Sequence, residues 1–277
     1  MINILCALRA EAEEIIKKYR LKKIHDKPFE IFISNDVRLI ISGIGKVNAA
    51  GATAFILSDL DIDFNSTDIF INFGICGALQ KEYVVGELIL CNKVLDYEMR
   101  KSFFTDILID YGLYEASIQT INNLDEQYDF LEDLVDMEAS AAFKMASKFL
   151  YTHQIYVLKI VSDLVYEKSN ERISRGFVKN LVKNKIETII NFVDVTESFL
   201  KNNPPFFQRE DLELIEEVSN SLKLTFSQQE QLKNAYCFYK SHNRCEPAFL
   251  KDYLIIKPEN SKERNVIFDQ IKHQLYS

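Results

Sequence analysis

Hydrophobic positions follow two rhythms that alternate from residue 1 to about residue 200. One is the continuous apolar run, seen at residues 2–8, 68–78 (DIFINFGICGA), 87–98 (ELILCNKVLDYE) and 155–163 (IYVLKIVSD). Runs of this length read as strands buried on both faces. The other has helical spacing. Ala12, Ile15, Ile16 and Tyr19 recur along one face after the first run. Val178, Leu181, Val182, Ile186, Ile189, Ile190 and Val193 mark a long amphipathic helix. EIFIS and VRLIISGI flank Asn35 and Asp36 and predict a β-hairpin with a tight turn. Residues 42–60 predict a Gly-containing turn that opens a helix rich in small side chains, and residues 134–150 an extended start continuing as an Ala-rich helix. Strands and helices in alternation predict an α/β architecture with a sheet covered on both faces.

The pattern changes near residue 200. The last glycine is Gly176, while Pro204, Pro205, Pro247 and Pro258 lie beyond that point. Asn202-Asn203-Pro204-Pro205 reads as a helix stop and linker. It divides the chain into a domain at 1–201 and a helical extension of unknown role at 206–277, with helices expected near 209–222, 226–241 and 260–275. Residues 225–242 have a helix-turn-helix flavour, but basic and acidic side chains nearly balance in the extension, which argues against nucleic-acid binding.

Composition narrows the classes. With 277 residues, 47% hydrophobic and 27% charged, the chain is too apolar for a disordered protein. No run approaches the ~18–20 uncharged residues of a membrane helix, so no membrane association is expected. The N-terminus lacks a basic region and a cleavage site, and reads as a core strand, not a signal peptide. The cysteines (Cys6, Cys76, Cys91, Cys237, Cys245) are odd in number and form no CxxC, a pattern of buried thiols in a reducing cytoplasm. Metal-ligand spacing is absent, so neither a metal nor a cofactor is expected. A net charge of −8 argues against a general polyanion binder.

Ligands of α/β sheets bind outside the carboxyl ends of the strands. Residues 9–11, 42–46, 74–77 and 162–163 occupy such ends, and Asp136-Met137-Glu138 sits where an extended run becomes a helix. Three of these places bring carboxylates: Glu11, Glu138 and Asp163. Each has a plain structural use, as a first-turn acid or a helix cap; together, at successive strand ends, they point to one cleft. SGIGK lacks the GxxxxGKS/T spacing of a P-loop, and GIGKVN has Asn48 where a third glycine of GxGxxG belongs. The glycines there serve either a ligand or close helix–sheet packing. His25, His153, His242 and His273 fall in expected loops or exposed helices, away from this set.

ALRAEAEEI (7–15), SGIGKVNAA (42–50), INFGICGAL (71–79), LVDMEASAA (134–142) and VSDL (161–164), in this order, resemble the nucleoside phosphorylase superfamily. The closest likeness is to its hydrolytic branch, the 5′-methylthioadenosine/S-adenosylhomocysteine nucleosidases. The resemblance covers residues 1 to about 200 and implies a central mixed sheet flanked by helices. It implies hydrolysis of the N-glycosidic bond of an adenine-type purine nucleoside, with no cofactor, in the cytoplasm, by a homodimer. Glu11 matches the glutamate that polarises water, and Asp163 the aspartate acting at N7 of the base, with Ser162 beside it. Met137 and Glu138 match the pair under the ribose, and Gly74 and Ile75 the glycine-rich strand end. The family's serine or threonine is replaced there by Ile75 followed by Cys76, and its arginine before the Ser-Asp pair by Lys159. Its Ser-Gly-Asp-x-Phe element, which frames adenine, is not visible in residues 120–138. Phe103 and Phe104 read either as a 5′-substituent pocket or as core aromatics. A phosphate-dependent phosphorylase and a catalytically weak nucleoside sensor remain alternative readings. The related phosphorylases carry an arginine-containing Gly-Asp-Pro loop after the first strand, where this chain has CALRAEAE.

Overall fold

The computed structural model describes residues 1–58, 67–123, 128–166, 173–203 and 209–276. These form two compact units, one running through Asn202 and one from Asn203 onward. Pro204 and Pro205 of the expected linker lie outside the described residues.

The first unit is built on a mixed sheet. Its strands are β1 (Ile2–Cys6), β2 (Lys22–His25), β3 (Glu30–Ile33), β4 (Val37–Ile41), β5 (Ile69–Ala78), β6 (Leu88–Asp96), β7 (Lys101–Phe104), β8 (Tyr114–Thr120), β9 (Leu134–Asp136) and β10 (Ile155–Leu164). Its helices are α1 (Arg9–Lys18), α2 (Lys46–Leu57), α3 (Ala139–Ala146) and α4 (Arg175–Asn202). β1 lies between β4 and β5, parallel to both, and β3 and β4 form the expected hairpin. His25 sits in the exposed edge strand β2, not in a loop.

The sheet departs from a simple open sheet at β5. β10 pairs parallel with β5 and antiparallel with β6, and β6, β8 and β9 lead back to β5. Five strands therefore close into a ring, while β1, β4, β3 and β2 extend from β5 as a wing.

Both faces are covered, as the continuous apolar strands require. On one face α2 and α3 meet the sheet through small residues, Ala49, Ala52, Ala139, Ala142 and Ala146, with Ile56, Leu57 and Phe143 filling between them. On the other, α1 and α4 bury Ala12, Ile15, Val182, Ile189, Phe192 and Val193 against β1, β5 and β10. Truncating a large member of either layer, such as Ile15 to Ala, costs about 2–5 kcal/mol. The second unit has its own apolar core, in which α5 (Arg209–Ser221), α6 (Phe226–Asn243) and α7 (Ser261–Leu275) bury Val218, Leu222, Leu232, Tyr236 and Ile271. Among the described residues no helix is long and apolar enough to cross a membrane.

Candidate active site

The strands β1, β5 and β10 run parallel, β5 and β10 continue past the end of β1, and the cleft forms along their carboxyl-terminal segments. A cavity of about 220 Å³ opens there. Glu11, Ile75, Met137, Glu138, Ser162 and Asp163 all line it, joined by Asp136 and an apolar wall of Ile44, Val135, Val165 and Ile173. The three carboxylates anticipated from separate strand ends thus share one hollow.

Glu11 occupies the first turn of α1, where its carboxylate reaches back to the Leu8 N–H at 2.7 Å. That bond is the helix-start role a first-turn acid usually plays. Its other oxygen accepts from the Ile75 N–H at 3.0 Å, across 64 residues of chain. The close approach depends on Gly74: a Cβ there would stand 2.9 Å from Glu11 Oε1. Gly74 is outside the cavity lining, and its contribution is the space it leaves. Burial pushes the Glu11 carboxyl above the ordinary range, opposed by the two backbone N–H groups and by the Lys159 ammonium.

Glu138 caps α3 and is 7% exposed. Its Oε1 accepts from the Gly45 N–H at 2.8 Å, which joins the SGIGK turn to the site. Gly45 has φ +100, a left-handed conformation that a glycine adopts without strain. Burial and the neighbouring Asp136 charge push Glu138 up to about 7, against Lys159 and the Gly45 N–H.

At the end of β10 the Ser162 hydroxyl lies 2.5 Å from Asp163 Oδ1 and 3.0 Å from the Cys76 carbonyl oxygen. With one proton to give, it donates to one of them at a time. Gly77 lets this end of β10 approach β5, since a Cβ there would stand 2.8 Å from Val165. The Cys76 thiol is buried, which raises it well above the ordinary thiol range and keeps it neutral.

Two residues matter more than the sequence pattern suggested. Asp136 accepts from Thr120 Oγ1 at 2.7 Å, from the Ala139 N–H at 2.8 Å and from Lys159 Nζ at 2.8 Å. Lys159 and Asp136 are each 1% exposed at the side chain. A lone lysine inside a nine-residue apolar run was the available signal, because a buried charge demands a partner. Other features lie apart. Arg9 pairs with Glu30 at 3.0 Å and stacks 4.5 Å over the Phe32 ring. Lys46 binds Asp96 at 2.8 Å and also Glu98. Phe103 packs on Phe143, and Phe104 is 61% exposed; neither lines the cavity, so the core-aromatic reading fits Phe103. Among the described residues no group of three or more His, Cys, Asp or Glu is arranged to hold a metal ion.

The sequence and the fold match a known class. Residues 2–127, which contain three of the five motifs, match the family model described as Phosphorylase superfamily, so the family resemblance holds over that stretch. Within that class the similar proteins are nucleosidases. The 5′-methylthioadenosine/S-adenosylhomocysteine nucleosidase of Buchnera aphidicola subsp. Acyrthosiphon pisum is 39% identical over 103 residues, covering 35% of this chain and 42% of that protein. The corresponding enzyme of B. aphidicola subsp. Schizaphis graminum is 28% identical over 169 residues, covering 57% of this chain and 65% of that one. The match thus spans under half the length of the first relative and just under two thirds of the second. The crystal structure of the Campylobacter jejuni 5′-methylthioadenosine/S-adenosyl homocysteine nucleosidase superposes with a TM-score of 0.54 at 20% identity, over 68% of this chain and 96% of that chain. The shared fold is therefore that of the first unit.

Proposed function

We propose that the chain is an N-glycosyl hydrolase that cleaves an adenine-type purine nucleoside such as methylthioadenosine or S-adenosylhomocysteine. The observation that carries this reading is the convergence of Glu11, Glu138 and Asp163 on a cavity whose described lining contains no Lys, Arg or His. Breaking an N-glycosidic bond develops an oxocarbenium-like sugar, and the base leaves most easily as a neutral, protonated species. Asp163 supplies that proton at N7. Ser162 orients it for this step: a hydroxyl that donates to Asp163 Oδ1 leaves Oδ2 to carry the proton toward N7. Glu11, on the opposite side of the sugar, takes the proton of the attacking water, the division of labour seen in inverting glycosidases. Its backbone donors hold it in place without consuming all its lone pairs. Glu138 accepts hydrogen bonds from the ribose hydroxyls, with Met137 packed under the ring.

The same lining supports water over phosphate as the nucleophile. A phosphorylase needs cationic groups and aimed donors to hold its anion. Here a phosphate would meet carboxylates, Lys159 is bound to Asp136 and Arg9 to Glu30. The buried free thiols Cys6, Cys76 and Cys91 support a reducing cytoplasm as its location, and the family likeness supports a homodimer. The test is incubation of the purified chain with methylthioadenosine, S-adenosylhomocysteine, adenosine and inosine, with and without phosphate. Free base released equally in both conditions is expected. Release only with phosphate would make it a phosphorylase, and saturable binding without release a sensor.

A further inference from the structure

Lys159, with its partner Asp136, is a charged feature beside the site that the proposed chemistry leaves unused. It is a cation 1% exposed, in the middle of β10, with Nζ 2.8 Å from Asp136 Oδ2. Asp136 is also bound by the Thr120 hydroxyl and the Ala139 N–H, so the pair is fixed from β8, β9 and the start of α3. Asp136 lines the cavity and Lys159 does not. The ammonium therefore sits behind the wall that the carboxylates share. Burial alone would lower its basicity; the charges of Asp136, Glu138 and Glu11 outweigh that and keep it protonated. A buried pair of this kind is weak evidence for stability, because apolar replacements of both members are often neutral or better.

The charged groups that act on the ammonium are acids from three elements. Asp136 comes from β9, Glu138 from the start of α3 and Glu11 from α1. The thiols of Cys6 on β1, Cys76 on β5 and Cys91 on β6 also feel it, and burial keeps them neutral all the same. Lys159 is the ladder partner of Gly74 in the parallel β10–β5 pair, and a Cβ on Gly74 would stand 2.9 Å from Glu11 Oε1, so the lysine side chain and the Glu11 carboxylate share one face of the sheet. Lys159 is thus the cation that favours an ionised Glu11, whereas burial favours the neutral acid. A protonated Glu11 cannot accept a proton from water.

We propose that Lys159 is a positioning residue, anchored on Asp136 behind the cavity wall, whose ammonium keeps Glu11 ionised for water activation without touching substrate. The role rests on the nucleosidase reading.

The test compares three variants with the wild type: Lys159→Met, Lys159→Arg, and the double variant Lys159→Met/Asp136→Asn. The double variant removes the pair as a neutral unit and keeps the test open if the single Met variant does not fold. Two readouts are taken: the pH profile of kcat/KM for base release, and a carbon-13 NMR titration of glutamate carboxyls without substrate, with Glu11 assigned through Glu11→Gln. Both Met variants are expected to move the acidic limb and the Glu11 titration upward by about 1 pH unit or more, with about tenfold slower turnover on that limb and recovery at higher pH. Lys159→Arg is expected to leave both in place. A folded double variant with the wild-type limb and titration would overturn the proposal, reducing the pair to a structural contact. Absence of base release by the wild type would sink the nucleosidase reading instead, while the titration would still report on Lys159.

Discussion

Glu11 and Asp211 are buried to nearly the same degree, 2% and 1% exposed, one in the α/β unit and one in the helical unit. Their surroundings differ in kind. Asp211 receives the Tyr236 hydroxyl and the Lys240 ammonium, in a unit whose core buries Val218, Leu222, Tyr236 and Ile271. Glu11 is held by backbone N–H groups that carry no net charge, and it faces a cavity shared with Glu138 and Asp163. Burial of a carboxylate is therefore no mark of function by itself. What separates the two is whether the charge is neutralised in place or kept beside room for a ligand.

Substitutions that preserve shape and remove charge sharpen this contrast. Asp163→Asn and Glu11→Gln are each expected to lower kcat by roughly 10²–10⁴-fold. Because N7 protonation matters mainly in the transition state, Asp163→Asn should leave KM nearly unchanged; steady-state kinetics on the released base checks this. Equal losses in kcat and in substrate binding would assign Asp163 a purely structural part.

Glu138 gives a signature in stability. Its folded value of about 7 lies above the ordinary 4.5, so its proton is bound more tightly in the folded state. That contribution is fully present below pH 4.5 and is lost as pH rises through 7. The difference corresponds to about 3 kcal/mol. Urea unfolding across this window should show the wild type losing roughly that much relative to Glu138→Gln. Parallel pH profiles would show that Glu138 is not strained by its burial.

The smallest effect is expected at the other pole. Asp211→Asn should cost about 1–3 kcal/mol of stability in the helical unit, through a weakened contact to Lys240 and Tyr236, and leave base release within about twofold, as expected of a residue that is not part of the cavity lining. A large loss of turnover in that variant would erase the distinction between the two carboxylates.

Much of this was legible in the chain, for physical reasons. β1, β5 and β10 are covered on both faces, so their sequences are unbroken apolar runs, and the residues where those runs stop are the site. Glu11, Ser162 and Asp163 were found that way, and Met137 and Glu138 from the switch between extended and helical spacing. β8 was not found, because Tyr114–Thr120 mixes exposed and buried positions with polar side chains. β2 was missed because all four of its residues are exposed. Closure of the sheet through β10, β6, β8 and β9 was equally invisible, since register between distant strands leaves no local trace. The same holds for the contacts that shape the site. Gly45 meets Glu138 across 93 residues, and Ile75 meets Glu11 across 64. Lys159 showed its oddity but not its partner.

Activation of water between these carboxylates is the central claim, and the fate of solvent oxygen reports on it directly. Turnover of methylthioadenosine in heavy-oxygen water with phosphate present should place one solvent oxygen on the anomeric carbon of the freed sugar, as read by mass spectrometry. A sugar carrying phosphate at that carbon would contradict the claim, and so would a substrate left intact.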